Sequence, residues 1–260
     1  MNQQTGFPGF DISGRIALVT GAGSGLGRSF ALVLADAGAH VVLAGRRVEN
    51  LEETAAMIAA RSGHATPVAM DVTDAEAIRA AFDAVEERSG LVEIVVNNAG
   101  IARSGLLTET SEADWAAVID TNLTAVHRVG REAVKRLQSA GRSGTVINIA
   151  SILGLRVSAG LGAYIAAKSA VVQLTKAQAL EWSGSGIRAN VIAPGYFETE
   201  MNAGYFDTPK GQAMVERIPM RRIGEIEELG GALLLLASDA SSYMSGSVIT
   251  VDGGHLCSSL

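Results

Sequence analysis

Arg15-Ile-Ala-Leu-Val-Thr20, running directly into Gly21-Ala-Gly-Ser-Gly-Leu-Gly27, is the stretch that decides the fold. A short apolar run without alternation reads as a strand buried on both faces, the mark of a parallel sheet. The glycines that follow read as a tight turn. From about Gly25 to Ala37 the apolar residues Leu26, Phe30, Val33, Leu34 and Ala37 recur at helical spacing, with Gly38 placed for a left-handed cap. Strand, glycine turn and helix form one unit of an α/β protein.

The unit recurs outward from there. Apolar runs at 40–44, 67–70, 93–96, 145–150, 188–193 and 247–251 read as further strands. Helical patterns at about 48–61, 74–88, 111–139, 162–182 and 225–237 separate most of them. This alternation predicts an α/β fold: a single doubly wound Rossmann domain over 1–260, its seven-stranded parallel sheet covered by helices on both faces. Residues 1–13 read as a polar surface lead-in.

Composition narrows the function. Apolar residues make up 48% and charged residues 18%, a globular mix, and the net charge of −6 comes without a basic stripe, which argues against nucleic-acid binding. The apolar run 230–237 is too short to span a bilayer, so no membrane association is expected and a cytoplasmic location is the default. One cysteine, Cys257, and four scattered histidines (40, 64, 127 and 255) offer no metal-ligand spacing. The histidines read as surface or helix residues. No G-x-S-x-G elbow supports serine hydrolysis.

The turn itself has the chemistry of a phosphate cradle. Backbone must come close to a pyrophosphate while a helix N-terminus points at it, and side chains at Gly21, Gly25 and Gly27 would obstruct both. Ser24 and Leu26 lie within the same turn. The second strand ends Val41-Val-Leu-Ala-Gly45, where an NAD site would carry an acidic residue for the ribose 2′-hydroxyl. Here Arg46 and Arg47 follow instead. A guanidinium at 46 suits a 2′-phosphate, so NADP is preferred and NAD is the alternative; the other reading is that both arginines simply face solvent. Asp71, with Val72 beside it, stands where an adenine amino group could be bound, or else Asp71 and Asp74 cap the next helix.

Tyr164-Ile-Ala-Ala-Lys168 puts a phenol and an ammonium on one helix face. A neighbouring positive charge favours the phenolate, so Lys168, together with the positive charge of an oxidised nicotinamide, is expected to lower the pKa of Tyr164 toward working pH. Ser151 ends the strand 145–150, where its hydroxyl could hold a substrate oxygen.

In order and spacing, Thr20–Gly27, Asn97-Asn-Ala-Gly100, Asn122, Ser151, Tyr164, Lys168 and Pro194-Gly195 closely resemble the short-chain dehydrogenase/reductase family over essentially the whole chain. The resemblance implies a tetrad of Asn122, Ser151, Tyr164 and Lys168. Ser would polarise a carbonyl and Tyr would act as acid/base. Lys would hold the nicotinamide ribose, and Asn a water in a proton relay. It also implies cofactor contacts from Asn98, Gly100, Pro194, Gly195 and Thr199, a substrate lid over about 196–223, and a homotetramer built through helices 111–139 and 162–182. The tail from His255 to Leu260 could reach a neighbouring subunit.

The expected activity is hydride transfer between nicotinamide and a ketone or secondary alcohol. Met201, Tyr205, Phe206, Met214, Ile218 and Met220, with Leu153, Leu155 and Leu161 opposite, point to a fairly apolar substrate, a 3-oxoacyl group or hydrophobic ketone, although core packing accounts for the same residues equally well. Residues 194–201 look similar to gluconate 5-dehydrogenases, which makes a polyol or gluconate-type dehydrogenase the alternative. A non-catalytic NADP-binding scaffold, and a dehydratase or epimerase with a retained cofactor, are further readings.

Overall fold

The computed structural model describes residues 8–200 and 202–258. Seven strands form one sheet: β1 (Ile16–Thr20), β2 (His40–Gly45), β3 (His64–Ala69), β4 (Ile94–Asn97), β5 (Gly144–Ile149), β6 (Ile187–Pro194) and β7 (Val248–Val251). Their spatial order is β3-β2-β1-β4-β5-β6-β7, and each neighbouring pair is parallel. The helices are α1 (Gly25–Asp36), α2 (Val48–Ala59), α3 (Ala75–Arg88), α4 (Glu112–Ile119), α5 (Ala125–Ser139), α6 (Gly162–Trp182), α7 (Pro209–Val215) and α8 (Gly230–Ala237).

Strand residues alternate between two cores. Ala17 and Val19 of β1 pack with Phe30 and Leu34 of α1, Leu51 and Ile58 of α2 and Leu233 of α8. Ile16 and Leu18 face the other way, onto Phe82 of α3 and Val129 and Leu137 of α5. Helices therefore cover both faces, which is why the strands read as continuous apolar runs. After β3 the chain crosses back past β1 to place β4, so a crevice opens at the carboxyl ends of β1 and β4, where ligands bind in such sheets.

Two elements depart from the expected boundaries. Strand β3 begins at His64, three residues before the anticipated start, because it is a sheet edge whose residues are mostly half-exposed and carry no apolar run. Pro67 is tolerated there because one side of an edge strand has no ladder to donate to. The helix anticipated over 111–139 is interrupted by a π turn at Asp120–Thr124. The last helix starts as a 3₁₀ turn, Ile226–Leu229, before α8. Asp74 does cap α3, accepting from the N–H groups of Glu76 and Ala77, whereas Asp71 does not. No described helix is long and apolar enough to cross a membrane. Of the residues singled out in the sequence, Met201, Leu260 and most of the lead-in lie outside the described residues.

Candidate active site

A cleft of about 580 Å³ follows the carboxyl ends of the strands. It is lined by Gly21, Ser24, Gly25, Leu26 and Gly27 of the first turn, Arg46 after β2, and Asp71 and Val72 after β3. Asn98 and Gly100 follow β4, Ser151 follows β5, Tyr164 and Lys168 come from α6, and Pro194, Gly195 and Thr199 close the far end.

The glycines leave room that side chains would fill. A Cβ on Gly27 would stand 2.1 Å from the Gly21 carbonyl oxygen and 2.6 Å from Asn98 Nδ2. Gly21 and Gly25 have φ of +68° and +50°, where side chains are rarely accommodated. Ser24 precedes α1 in an extended conformation, and its hydroxyl caps no helix N–H. The first turn of α1 therefore offers N–H groups and a positive dipole end to an anion. Thr20 fixes the opposite rim: its hydroxyl accepts from the N–H groups of Asn98 and Ala99, both at 3.0 Å, and its carbonyl accepts from Asn98 Nδ2 at 2.9 Å.

At the outer end, Arg46 is exposed and makes no ion pair within hydrogen-bonding range among the described residues. The Thr73 backbone N–H holds the Asp71 carboxyl below its ordinary range, with the Thr73 hydroxyl and Arg46 adding to the effect. Arg47 and Asn50 also line this end. Arg47 was visible beside Arg46 in the sequence, whereas Asn50, on the first turn of α2, belongs to no motif.

The inner end gathers the reacting groups. Ser151 begins a short 3₁₀ turn and its Oγ accepts from the N–H of Leu153. Lys168 is buried, donates to the carbonyl of Ile149 at 2.7 Å, and has Nζ 5.6 Å from the Tyr164 ring centroid. Burial lowers its pKa to about 8. The expected lowering at Tyr164 calls on the charge of an oxidised nicotinamide as well as the lysine, and the protein's own groups on balance act the other way. Burial of the phenol outweighs the Ser151 hydroxyl's opposite effect and holds the pKa above its ordinary value. The phenol is therefore a protonated acid at neutral pH.

Asn122 is fully buried on the π turn, where its amide grips Ile101 through both backbone groups, each at 2.8 Å. The side chain is committed to that clamp, so the water-holding role implied by the resemblance would fall to its main chain. A Cβ on Gly100 would lie 3.3 Å from Asn122 Oδ1 and 3.7 Å from Lys168 Nζ, so the asparagine, the glycine and the lysine converge.

Between β6 and α8 the chain folds over the cleft. Asn202 Oδ1 accepts from the backbone N–H of Thr199 at 2.7 Å, and its Nδ2 donates to the carbonyl of Phe197. Phe197 and Ile218 are buried, Phe206 meets Tyr196 edge-on at 6.2 Å, and Tyr205 and Met220 are exposed, so only part of the apolar set is available to a ligand. Glu200 lines the cleft with a carboxylate oxygen 3.2 Å from where a Gly25 Cβ would be. His255 is buried rather than superficial, its ring tilted against Tyr196 at 5.5 Å. Among the described residues no group of His, Cys, Asp or Glu could hold a metal ion.

A family model described as Enoyl-(Acyl carrier protein) reductase matches residues 21–255. The gluconate 5-dehydrogenase of Gluconobacter oxydans is 40% identical over 246 residues, 94% of this chain and 96% of that protein. The chain belongs to the short-chain dehydrogenase/reductase family. Another relative of this dehydrogenase/reductase, the 3-oxoacyl-acyl-carrier-protein reductase FabG of Thermotoga maritima, is 37% identical, covering 94% and 98% of the two chains. The crystal structure of a gluconate 5-dehydrogenase from Burkholderia cenocepacia J2315 in complex with NADP and tartrate superposes with a TM-score of 0.92 at 37% identity, over 96% of this chain and 98% of that one. As a member of the family, the protein is an oxidoreductase acting between CH–OH and C=O.

Proposed function

We propose that this short-chain dehydrogenase/reductase is an NADP(H)-dependent carbonyl reductase whose acid/base is Tyr164. The observation that carries the reading is a half-buried phenol beside the buried Ser151 and Lys168 in a cleft that begins at a glycine cradle. The residues fit a dinucleotide: Gly21, Ser24, Gly25 and the first turn of α1 would take the pyrophosphate, Asp71 and Val72 the adenine end, and Asn98, Gly100, Lys168, Pro194, Gly195 and Thr199 the nicotinamide half. The bound nicotinamide supplies or accepts the hydride. Ser151 donates a hydrogen bond to the substrate oxygen and holds it against Tyr164. Tyr164 gives that oxygen its proton in reduction and removes it in oxidation. Lys168 is one turn further along α6, where its ammonium form favours the phenolate that remains when Tyr164 gives up its proton; burial lowers the lysine's pKa to about 8, so this help fades above that pH. The neutral phenol favours reduction, since a proton donor must be protonated to act. A panel of ketones and alcohols with NADPH and NADH side by side tests the reading; NADPH oxidation by no member of the panel would leave a non-catalytic binder as the better account.

Arg46 sets the cofactor preference in this proposal. Its guanidinium can add a charge-assisted bond to a 2′-phosphate, worth about 1.5–3 kcal/mol. Arg46→Ala is expected to lower kcat/KM for NADPH by about 10–100-fold and to leave the NADH value nearly unchanged. Equal losses with both cofactors would remove Arg46 from 2′-phosphate recognition.

Ile101 and Phe197, which line the cleft, support a substrate with an apolar face. A hydroxy or oxo acid is the second reading, favoured by the unpaired arginine described below. We also infer a homotetramer through α4–α5 and α6, supported by the exposed Trp115 and Leu180 on those helices. Sedimentation should give a species of four chains at micromolar concentration, and a monomer would contradict it.

A further inference from the structure

The loop that follows Ser151 carries a positive charge that the catalytic groups do not use. Arg156 lies on the loop between Ser151 and Tyr164, an exposed residue whose Nη1 donates to the His255 carbonyl at 2.7 Å. That is the one hydrogen bond its side chain makes among the described residues, and it has no carboxylate partner there. A guanidinium has five N–H donors in a planar fork, so most of Arg156 is unused. The carboxylate that acts on His255 from the same turn is already committed. Asp252 uses one oxygen on the Gly254 N–H and the other on the Leu256 N–H, at 2.9 and 2.8 Å. Arg217, after α7, is likewise without an ion pair among the described residues, and its charge reaches His255.

Tyr196 links this cluster to the reacting end. Its ring is packed between His255 and Phe206, and its hydroxyl has no hydrogen bond among the described residues. It follows Pro194 and Gly195, which line the cofactor cleft. It is close enough to Tyr164 and to Arg156 that each pair interacts electrostatically, Arg156 drawing the Tyr196 pKa down against the upward effect of burial. A chain of polar groups thus runs from Tyr164 through Tyr196 to Arg156. A neutral polyol or ketone would leave the guanidinium end of that chain without a partner, whereas a carboxylate matches its fork in bidentate geometry.

We propose that Arg156 and Tyr196 form a carboxylate subsite, so that the substrate is a hydroxy or oxo acid with its carbinol or carbonyl carbon at Ser151 and Tyr164 and its carboxylate at Arg156. This rests on the oxidoreductase reading above and adds the substrate's charge to it. His255 and Asp252 act as positioning residues. Asp252 orders the Gly253–Leu256 turn through two backbone bonds, and the turn presents the His255 carbonyl that fixes one edge of the guanidinium.

The test compares D-gluconate with D-glucitol, the neutral polyol of equal length, as substrates with NADP, and measures D-gluconate binding to the NADP-loaded protein by calorimetry. The expected result is a preference for the acid of at least about 30-fold in kcat/KM, weakened by added salt because a charge pair is involved. In Arg156→Met the acid-to-neutral ratio should collapse toward one through KM, Arg156→Lys should restore part of it, and Tyr196→Phe should lower it by several-fold. Arg156→Met protein that unfolds earlier is replaced by the lysine variant and by the salt dependence of wild-type KM, which need no folded methionine variant. A wild-type preference for the neutral compound, or equal losses on both substrates in the arginine variants, overturns the subsite. If neither compound is oxidised, calorimetry decides separately: gluconate binding that Arg156→Met abolishes upholds the subsite while the reductase reading fails, and binding that is absent or indifferent to residue 156 refutes it.

Discussion

Tyr164→Phe is expected to lower kcat for any substrate of the wild-type protein by about 10³-fold or more, while NADPH binding stays within about 2-fold of wild type. The reasoning starts from what the substitution removes. Phe keeps the ring that packs beside Lys168, so the cleft retains its shape and Lys168 its place at the Ile149 carbonyl. Only the hydroxyl goes, and with it the group proposed to pass a proton to a nascent alkoxide. The pH dependence carries the same information. Because burial holds the phenol above its ordinary pKa, the acid form is present throughout the neutral range. Reduction should therefore be insensitive to the phenol between about pH 6 and 9, and oxidation, which needs the phenolate, should rise with pH across that interval. Turnover and NADPH fluorescence titration, both over a pH series, measure the two halves of the prediction. A Phe variant with more than a tenth of wild-type kcat would assign the proton to another group.

Gly27→Ala should damage folding and cofactor binding together. The added Cβ would meet the Gly21 carbonyl at 2.1 Å and Asn98 Nδ2 at 2.6 Å. The first of these is backbone in a turn that is itself held by Gly21 at positive φ, so it has little freedom to retreat. Relief requires the β1–α1 turn to open or Asn98 to release the Thr20 carbonyl, and that bond ties the ends of β1 and β4 together. Overpacking of this kind costs about 1–3 kcal/mol, a drop of roughly 3–10 °C in Tm for a chain of this size. The same displacement moves the N–H groups of α1 away from a pyrophosphate, so the NADPH Kd should rise by about 30-fold or more. Thermal unfolding with and without NADPH reads both effects. An alanine variant with wild-type Tm and Kd would show that the turn is looser than its contacts indicate.

The frame of the fold was legible because its physics is local. Strands buried on two faces must be apolar at every position, and Ile16–Thr20 and Ile94–Asn97 are buried throughout. The glycine turn was legible because only glycine meets its steric demands. Features that depend on distant partners were not. The π turn at Asp120–Thr124 accompanies the Asn122 amide's closure on Ile101, twenty-one residues away, and no periodicity announces it. The first three residues of strand β3 hid because an edge strand lacks an apolar signature. Tyr164 and Lys168 were found as a pair, but the direction of the tyrosine's shift depends on how deeply α6 is buried, which spacing alone does not state. His255 read as superficial, and Arg156 carried no motif. Their meeting with Tyr196 exists only after the end of the chain folds back across the loop that follows Ser151.

The most direct test of the acid/base account is isotopic. NADPH carrying deuterium at both C4 positions of the nicotinamide is incubated with the protein and a panel of 3-oxo esters, cyclic ketones and oxo acids, and the products are examined by mass spectrometry and NMR. Hydride transfer coupled to protonation by Tyr164 predicts an alcohol with one deuterium on the carbinol carbon, in yield equal to the NADPH consumed, from the wild-type protein and almost none from Tyr164→Phe. Product that forms without consuming NADPH, or that carries no deuterium at that carbon, would contradict it.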